Sequence, residues 1–337
     1  MIIVCNKLCT DEDIDFIQKK AVEYGYEPRL IRGVERTIIA CIGDEIEHPN
    51  LMSLVSLKCI DSVMPIQKRY KLASREFHAT DSEYEFSGAK LGNKHFLTIA
   101  GPCSVESIEQ MHAVSKDLVA AGIKVMRGGV YKPRTSPYDF QGMGDEGLEI
   151  LQEMKNTYGF AIATEVLGEE QIEKAAKVAD ILQIGARNCQ NYHLLKKVSH
   201  AGRAVLLKRG MATTVEEWLL AAEYLLVNGC EEVILCERGI RTYEKTTRFT
   251  LDVAAIAAAK KETHLPVIVD PSHPAGQLDF VMPLAKAGIA AGADGMIIET
   301  HPKPSEACSD AAQQIPSNEF KDFLKDLQPL IELMVKE

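Results

Sequence analysis

From about residue 95 onward, short uninterrupted apolar runs alternate with longer segments whose apolar residues recur every three to four positions. The runs are HFLTIAGPC, KVMRGG, FAIATEV, ILQIGAR, AVLLKRG, VILCERG, PVIVDPSH and GMIIETH, eight in all. Continuous rather than alternating apolar character is the pattern of parallel strands covered on both faces. The segments between them carry helix signals. In TVEEWLLAAEYLLVNG, Thr214 and Glu217 are placed as a capping box and Asn228-Gly229 as a stop. Eight βα units in about 245 residues predict a (β/α)8 barrel of the TIM type over 93–337. A doubly wound open sheet is the competing α/β fold, but it carries fewer strands and a glycine-rich fingerprint after the first one; GPCSVE is no such fingerprint.

The first 68 residues have a different rhythm. IIVCNK reads as a strand, and Thr10 with Asp13 caps a helix whose apolar positions are Ile14, Ile17, Ala21 and Tyr24, stopped at Gly25. EPRLIR and RTIIACIG are two strands around Gly33, LMSLVSLK a second helix and SVMPIQ a last strand. The order βαββαβ is that of a ferredoxin-like unit. No cluster of catalytic residue types is expected in it. Residues 69–92 form a polar connector in which EYEF and AKLG are expected to make a short hairpin.

Composition narrows the partners. The formal net charge of -10 and pI near 5.5 argue against a nucleic-acid or anionic-membrane binder. The apolar start MIIVC is too short for a signal segment and no run is long enough to span a membrane, so a cytoplasmic chain is expected. Nine cysteines without regular spacing read as reduced thiols, with Cys103 as the exception.

Against that acidic background, RGGVYKPRTSPYDFQG places Arg127, Lys132 and Arg134 within eight residues. In a barrel the active site lies at the carboxyl ends of the strands. Those ends carry Cys103, Arg127, Glu165, Arg187, Lys208 with Arg209, Glu237 with Arg238, Asp270 with His273, and Glu299 with His301. Arg127, Lys132, Arg134, Arg187, Lys208 and Arg238 make six cations at one mouth, more than Glu165 and Glu237 need as ion-pair partners. Such a group calls for an anionic ligand, phosphate or carboxylate. Cys103, His273, Glu299 and Asp310 form a second group, which the closure of strand eight beside strand one brings together. Taken singly, Cys103 fits a buried small hydrophobe and His273 a turn-stabilising hydrogen bond. Together they fit one divalent metal ion, with manganese, iron, cobalt and zinc all open. His301 and Cys308 read as bystanders or supports of that group.

These motifs, with AGPCSVE, QIGARN, LLKRG, CERGIRT and VDPSH, resemble the 3-deoxy-D-arabino-heptulosonate 7-phosphate (DAHP) synthases. The likeness covers the whole barrel, and the N-terminal unit is similar to the ferredoxin-like regulatory domain of one branch of that family. The resemblance implies a metal-dependent, aldol-type condensation of phosphoenolpyruvate with erythrose 4-phosphate, the first step of the shikimate pathway. It implies that Cys103, His273, Glu299 and Asp310 hold the metal, that Arg127, Lys132 and Lys208 surround the phosphoenolpyruvate carboxylate, and that Arg187 and Arg238 take its phosphate. Arg134, Thr135 and Ser136 then meet the aldose phosphate, and Glu165 and Asp270 complete the substrate-binding set. Lys132, Cys103 and His273 are the expected catalytic residues, with Glu165, Lys132 and metal-bound water all open as proton carriers. The family further implies a homotetramer and feedback by an aromatic amino acid.

Two rivals stand beside this reading. The sister enzymes that make 3-deoxy-octulosonate 8-phosphate from arabinose 5-phosphate read Lys-Ala-Asn-Arg where this chain has Lys132-Pro133-Arg134-Thr135. A non-catalytic amino-acid sensor is disfavoured by the complete metal and cation sets.

Overall fold

The computed structural model describes residues 1–33, 36–43, 49–64 and 69–336, which fall into two compact units, Met1–Arg69 and Tyr70–Glu337.

In the first unit β1 (Ile2–Cys5), α1 (Asp11–Glu23), β2 (Glu27–Arg32), β3 (Thr37–Ile42) and β4 (Ile60–Met64) build an antiparallel sheet of order β2-β3-β1-β4, the ferredoxin-like arrangement. The Thr10 hydroxyl accepts from Asp13 N at 3.2 Å and Asp13 Oδ2 accepts from Thr10 N at 2.9 Å, so the capping box forms as its spacing predicts. Ile14, Ile17 and Ala21 are buried against Ile3, Ile39, Leu51 and Val63. The second helix differs in kind. Pro49–Ser56 winds as a 3-10 helix rather than an α-helix, the tighter form that short connectors between strands use. The end of the last expected strand, Pro65 to Gln67, lies outside the described residues.

The second unit begins with a hairpin, β5 (Tyr84–Phe86) and β6 (Ala89–Leu91). There follow β7 (Leu97–Gly101), α2 (Ile108–Ala120), β8 (Val125–Arg127), α3 (Asp145–Tyr158), β9 (Ala161–Val166), α4 (Glu169–Val178), β10 (Ile181–Ile184) and α5 (Tyr192–Val198). The chain continues through β11 (Ala204–Lys208), α6 (Val215–Val227), β12 (Val233–Glu237), α7 (Val253–Glu262), β13 (Val267–Val269), α8 (Ser272–Ala275), α9 (Leu278–Ala290) and β14 (Gly295–His301). Strands β7 to β14 pair in sequence order, all parallel, and β14 pairs with β7, which closes an eight-stranded barrel. A two-residue strand, β15 (Ile315–Pro316), adds to β14, and α10 (Phe320–Lys336) ends the chain.

Apolar residues on both faces of the strands create two cores. Tyr84, Phe86 and Leu91 of the hairpin pack with Ile99, Val125, Ala163, Leu206, Ile234 and Ile297 inside the barrel. The hairpin thus plugs the end where the strands begin and leaves the opposite mouth for polar chemistry. Outside, the helices cover the strands; Trp218 of α6 is fully buried and its indole donates to Leu207 O at 3.2 Å. Among the described residues no helix is long and apolar enough to cross a membrane.

Candidate active site and metal centre

Parallel register delivers the strand-end residues to one mouth. Glu299 of β14 is the partner of Gly101 in β7, which sets it two residues from Cys103. Gly101 has no alternative there, because a Cβ would collide with the Arg127 carbonyl oxygen. Cys103 is fully buried, and Lys132 Nζ donates to its carbonyl oxygen at 2.8 Å and lies 3.0 Å from its Sγ. Asp310, in the left-handed region at φ 51, brings Oδ2 to 3.3 Å from Cys103 Sγ. His273 Nε2 stands 3.7 Å from Glu299 Oε1 and 3.9 Å from Asp310 Oδ2.

A divalent ion fits this group. The donor atoms of Cys103, Glu299 and Asp310 all lie within 4.8 Å of one another. Bonds of about 2.0–2.3 Å to a tetrahedral ion would set donors roughly 3.3–3.8 Å apart. Glu299 Oε1 is buried and accepts no hydrogen bond, although the Arg127 guanidinium is 3.2 Å away. A carboxylate oxygen left in that state beside a second carboxylate and a sulfur is a place for a cation. Burial pushes the Cys103 thiol up to about 12, Glu299 adding to the effect and Lys132 opposing it; a coordinating thiol would give up that proton. Burial also opposes charge on Glu299 and Asp310. His273 with Arg127 for Glu299, and His273 with Arg248 and Lys132 for Asp310, outweigh it and hold both carboxyls below their usual range.

The expected anion-binding residues come together around this point. Lys132, Arg134, Thr135, Glu165, Arg187, Lys208, Arg238, His273 and Asp310 line one cleft, with Arg127, Cys103 and Glu299 buried beside it. Arg127 Nη1 and Arg238 Nη1 are buried with no acceptor among the described residues. Two orphaned guanidinium donors are costly unless a ligand supplies oxygens. Arg238 also lies over the Phe249 ring, 4.1 Å from its centroid.

Several expected residues take other positions. Ser136 does not line the cleft; its hydroxyl accepts from Tyr138 N at 3.3 Å. Asp270 is fully buried between Lys208 Nζ at 2.5 Å and His273 Nδ1 at 2.7 Å, so it steadies two cleft residues from behind. Glu237 and Arg209 turn to each other at 2.9 Å, with Asp252 as the second partner of Arg209, and form an internal ion-pair network. His301 faces Glu106 at 3.4 Å and accepts from Lys303 N at 3.0 Å, and so supports the loop rather than Glu299.

Other site residues have no counterpart in the sequence reading. Gln313 donates to Glu299 Oε2 at 2.6 Å, and Gln314 accepts from Cys103 N at 3.1 Å while donating to Ser309 O at 2.8 Å. Arg248 donates to Asp310 Oδ1 at 2.9 Å, and Ser309 Oγ accepts from Arg134 at 2.8 Å. The paired glutamines in AAQQIP, beside the predicted Asp310, were the available signal.

Comparison with known proteins agrees with this geometry. Residues 76–335 match the DAHP synthetase I family and residues 1–68 the DAHP synthase ferredoxin-like domain. The chain is 47% identical over 334 residues to a phospho-2-dehydro-3-deoxyheptonate aldolase of Thermotoga maritima, covering 99% of this chain and 98% of the relative. A crystal structure of the DAHP synthase of that organism superposes with a TM-score of 0.90 at 45% identity, over 99% of this chain and 97% of the other. A 2-dehydro-3-deoxyphosphooctonate aldolase of Acidithiobacillus ferrooxidans is more distant, at 31% over 260 residues, covering 72% of this chain and 92% of the relative. A strand-end cation set, a candidate mixed-donor metal group and full-length likeness thus converge, and the chain belongs to the DAHP synthetase I family.

Proposed function

We propose that this cleft joins phosphoenolpyruvate to erythrose 4-phosphate and water, giving 3-deoxy-D-arabino-heptulosonate 7-phosphate and phosphate, with the residues below in named roles. The observation that carries the assignment is the pair of buried, acceptor-less guanidinium donors of Arg127 and Arg238 beside the Cys103–Glu299–Asp310 group.

Arg127, Lys132 and Lys208 hold the phosphoenolpyruvate carboxylate, and Arg187 and Arg238 its phosphate. Arg134 and Thr135 take the aldose phosphate, with Ser136 joining them when it leaves Tyr138 N. Packing two phosphates and a carboxylate together is opposed by their repulsion, which the six cations offset before any bond forms. Cys103, His273, Glu299 and Asp310 would hold a manganese, iron, cobalt or zinc ion, which supplies Lewis-acid polarisation of the aldehyde. The methylene carbon of the enol phosphate then bonds to aldehyde C1, water adds at C2, and cleavage of the C2–O bond releases phosphate. In this reading Lys132 gives a proton to the aldehyde oxygen as it becomes a hydroxyl. Glu165, on the cleft wall and accepting from Gln183 at 3.2 Å, takes one from the adding water. Asp270 acts as a positioning residue for His273 and Lys208.

Comparison of phosphate release with erythrose 4-phosphate and with arabinose 5-phosphate tests the substrate. A preference for the five-carbon sugar would reject it.

In this reading residues 1–68 are regulatory, 69–92 a connector and 93–337 catalytic, in a cytoplasmic homotetramer. The ferredoxin-like match supports feedback by an aromatic amino acid. Activity unmoved by tyrosine, phenylalanine or tryptophan would exclude such feedback, and a monomer in sedimentation at assay concentration would exclude the assembly.

A further inference from the structure

The nine cysteines read from sequence as scattered thiols, but folding gathers three of them in the N-terminal unit. Cys5 ends β1, Cys9 lies just before the capped start of α1, and Cys59 immediately precedes β4. The loop between the first two is tied to the third: Asn6 N donates to Cys59 O at 3.0 Å and Cys9 N to Asn6 O at 3.2 Å. The Cys9 and Cys59 sulfurs and an Asp13 oxygen lie within 4.8 Å of one another. Cys5 is buried at the end of β1, four residues before Cys9 on the same connecting loop. Asp13 spends Oδ2 on the Thr10 cap, leaving Oδ1 without a partner among the described residues.

We infer that Cys5, Cys9, Cys59 and Asp13 form a second metal site, separate from the catalytic group, for a zinc-like thiophilic divalent cation. The Cys5-x3-Cys9 spacing matches that of structural zinc loops, and three sulfurs with one carboxylate complete four-coordination. A disulfide would use two of the sulfurs and leave the third sulfur and the carboxylate without a role. Burial pushes the Cys9 thiol up to about 11, with Cys5 adding to the shift, so binding releases the thiol protons to water. The ion ties β1, the start of α1 and the entry to β4 at one point. In a unit of this size such a tie adds to a small core.

Cobalt(II) titration of the reduced full-length chain carrying Cys103→Ala reads this site apart from the catalytic one. About one equivalent should bind, with the near-ultraviolet thiolate-to-cobalt band of a tetrahedral site, and zinc should displace it. Adding Cys59→Ser should abolish the band. In the chain with Cys103 intact, Cys9→Ser should lower zinc content from about two to about one ion per chain without loss of turnover. Cys9 is only partly buried and lies outside the capping box, so this variant tests the site without removing a core side chain. The inference is overturned by absence of a thiolate band, by a band that survives Cys59→Ser, or by a chain that binds no metal and loses two hydrogens to a disulfide in air.

Discussion

Asp270 stands behind His273, its Oδ2 2.7 Å from the ring Nδ1, while Nε2 faces Glu299 and Asp310 at 3.7 and 3.9 Å. The ring is not aligned for a straight hydrogen bond, but the placement sets Nδ1–H against the carboxylate and Nε2 toward the other donors. A carboxylate behind a ligating imidazole fixes its tautomer and orientation and raises its basicity. The same carboxylate holds Lys208 at 2.5 Å, so one buried side chain supports both His273 and Lys208, members of the proposed metal group and the proposed anion-binding set.

Asp270→Asn should therefore weaken metal binding by about 10- to 100-fold. Excess metal should restore part of the turnover, and the Michaelis constant for phosphoenolpyruvate should rise through Lys208. Equilibrium dialysis of the metal and a two-substrate kinetic matrix check this. Unchanged affinity in a folded variant would show that Asp270 does not act through His273.

In the proposed assignment Arg134 divides the two substrates. Its guanidinium is held by Ser309 at 2.8 Å and stands 3.6 Å from Asp139 Oδ2, on the cleft wall formed by the loop after β8. Hydrogen bonds to charged groups contribute about 1.5–3 kcal/mol, so Arg134→Ala should raise the Michaelis constant for erythrose 4-phosphate by about 10- to 150-fold. That for phosphoenolpyruvate should change little. Equal losses for both would contradict the assignment.

A pH effect on stability is expected where the connector meets the barrel. His264 is mostly buried, its Nε2 donating to Leu72 O at 2.8 Å and its Nδ1 accepting from Ser82 Oγ at 2.7 Å. Burial lowers its pKa against the favourable Leu72 bond, and His78 and Arg75 lower it further while Asp81 opposes them. The folded state therefore binds this proton less readily than the unfolded chain. The resulting stability is complete above the ordinary histidine pKa of about 6.5 and is lost as pH falls through the folded value. Thermal unfolding of the parent should decline more steeply below that range than unfolding of His264→Gln. Parallel declines would place the pH dependence elsewhere.

The barrel was legible because strands buried on both faces must be apolar throughout, which made all eight runs visible without a partner sequence. Much of the candidate cleft was legible for a related reason: the fold puts function at the carboxyl ends of strands, so Arg127, Glu165, Lys208 and Glu299 are brought to one mouth by position. Gln313, Gln314, Arg248 and Ser309 did not. They sit in irregular segments whose path depends on tertiary packing, and the left-handed backbone of Asp310 is a local choice that an aspartate permits without announcing it. Glu237, read from sequence only as an ion-pair partner, pairs with Arg209, since a strand-end carboxylate can turn to a neighbouring arginine as readily as to a ligand. Cys5, Cys9 and Cys59 escaped notice because Cys59 joins the other two only when β4 pairs with β1.

The central claim is that Cys103, His273, Glu299 and Asp310 hold a metal on which turnover depends. Phosphate release from phosphoenolpyruvate plus erythrose 4-phosphate, measured after chelator treatment and again after adding a divalent cation, tests it most directly. Activity should vanish on chelation and return with manganese, iron, cobalt or zinc in the parent, while folded Cys103→Ala should show no recovery. Full turnover in the metal-free chain, or a fully active, metal-replete Cys103→Ala, would contradict the claim.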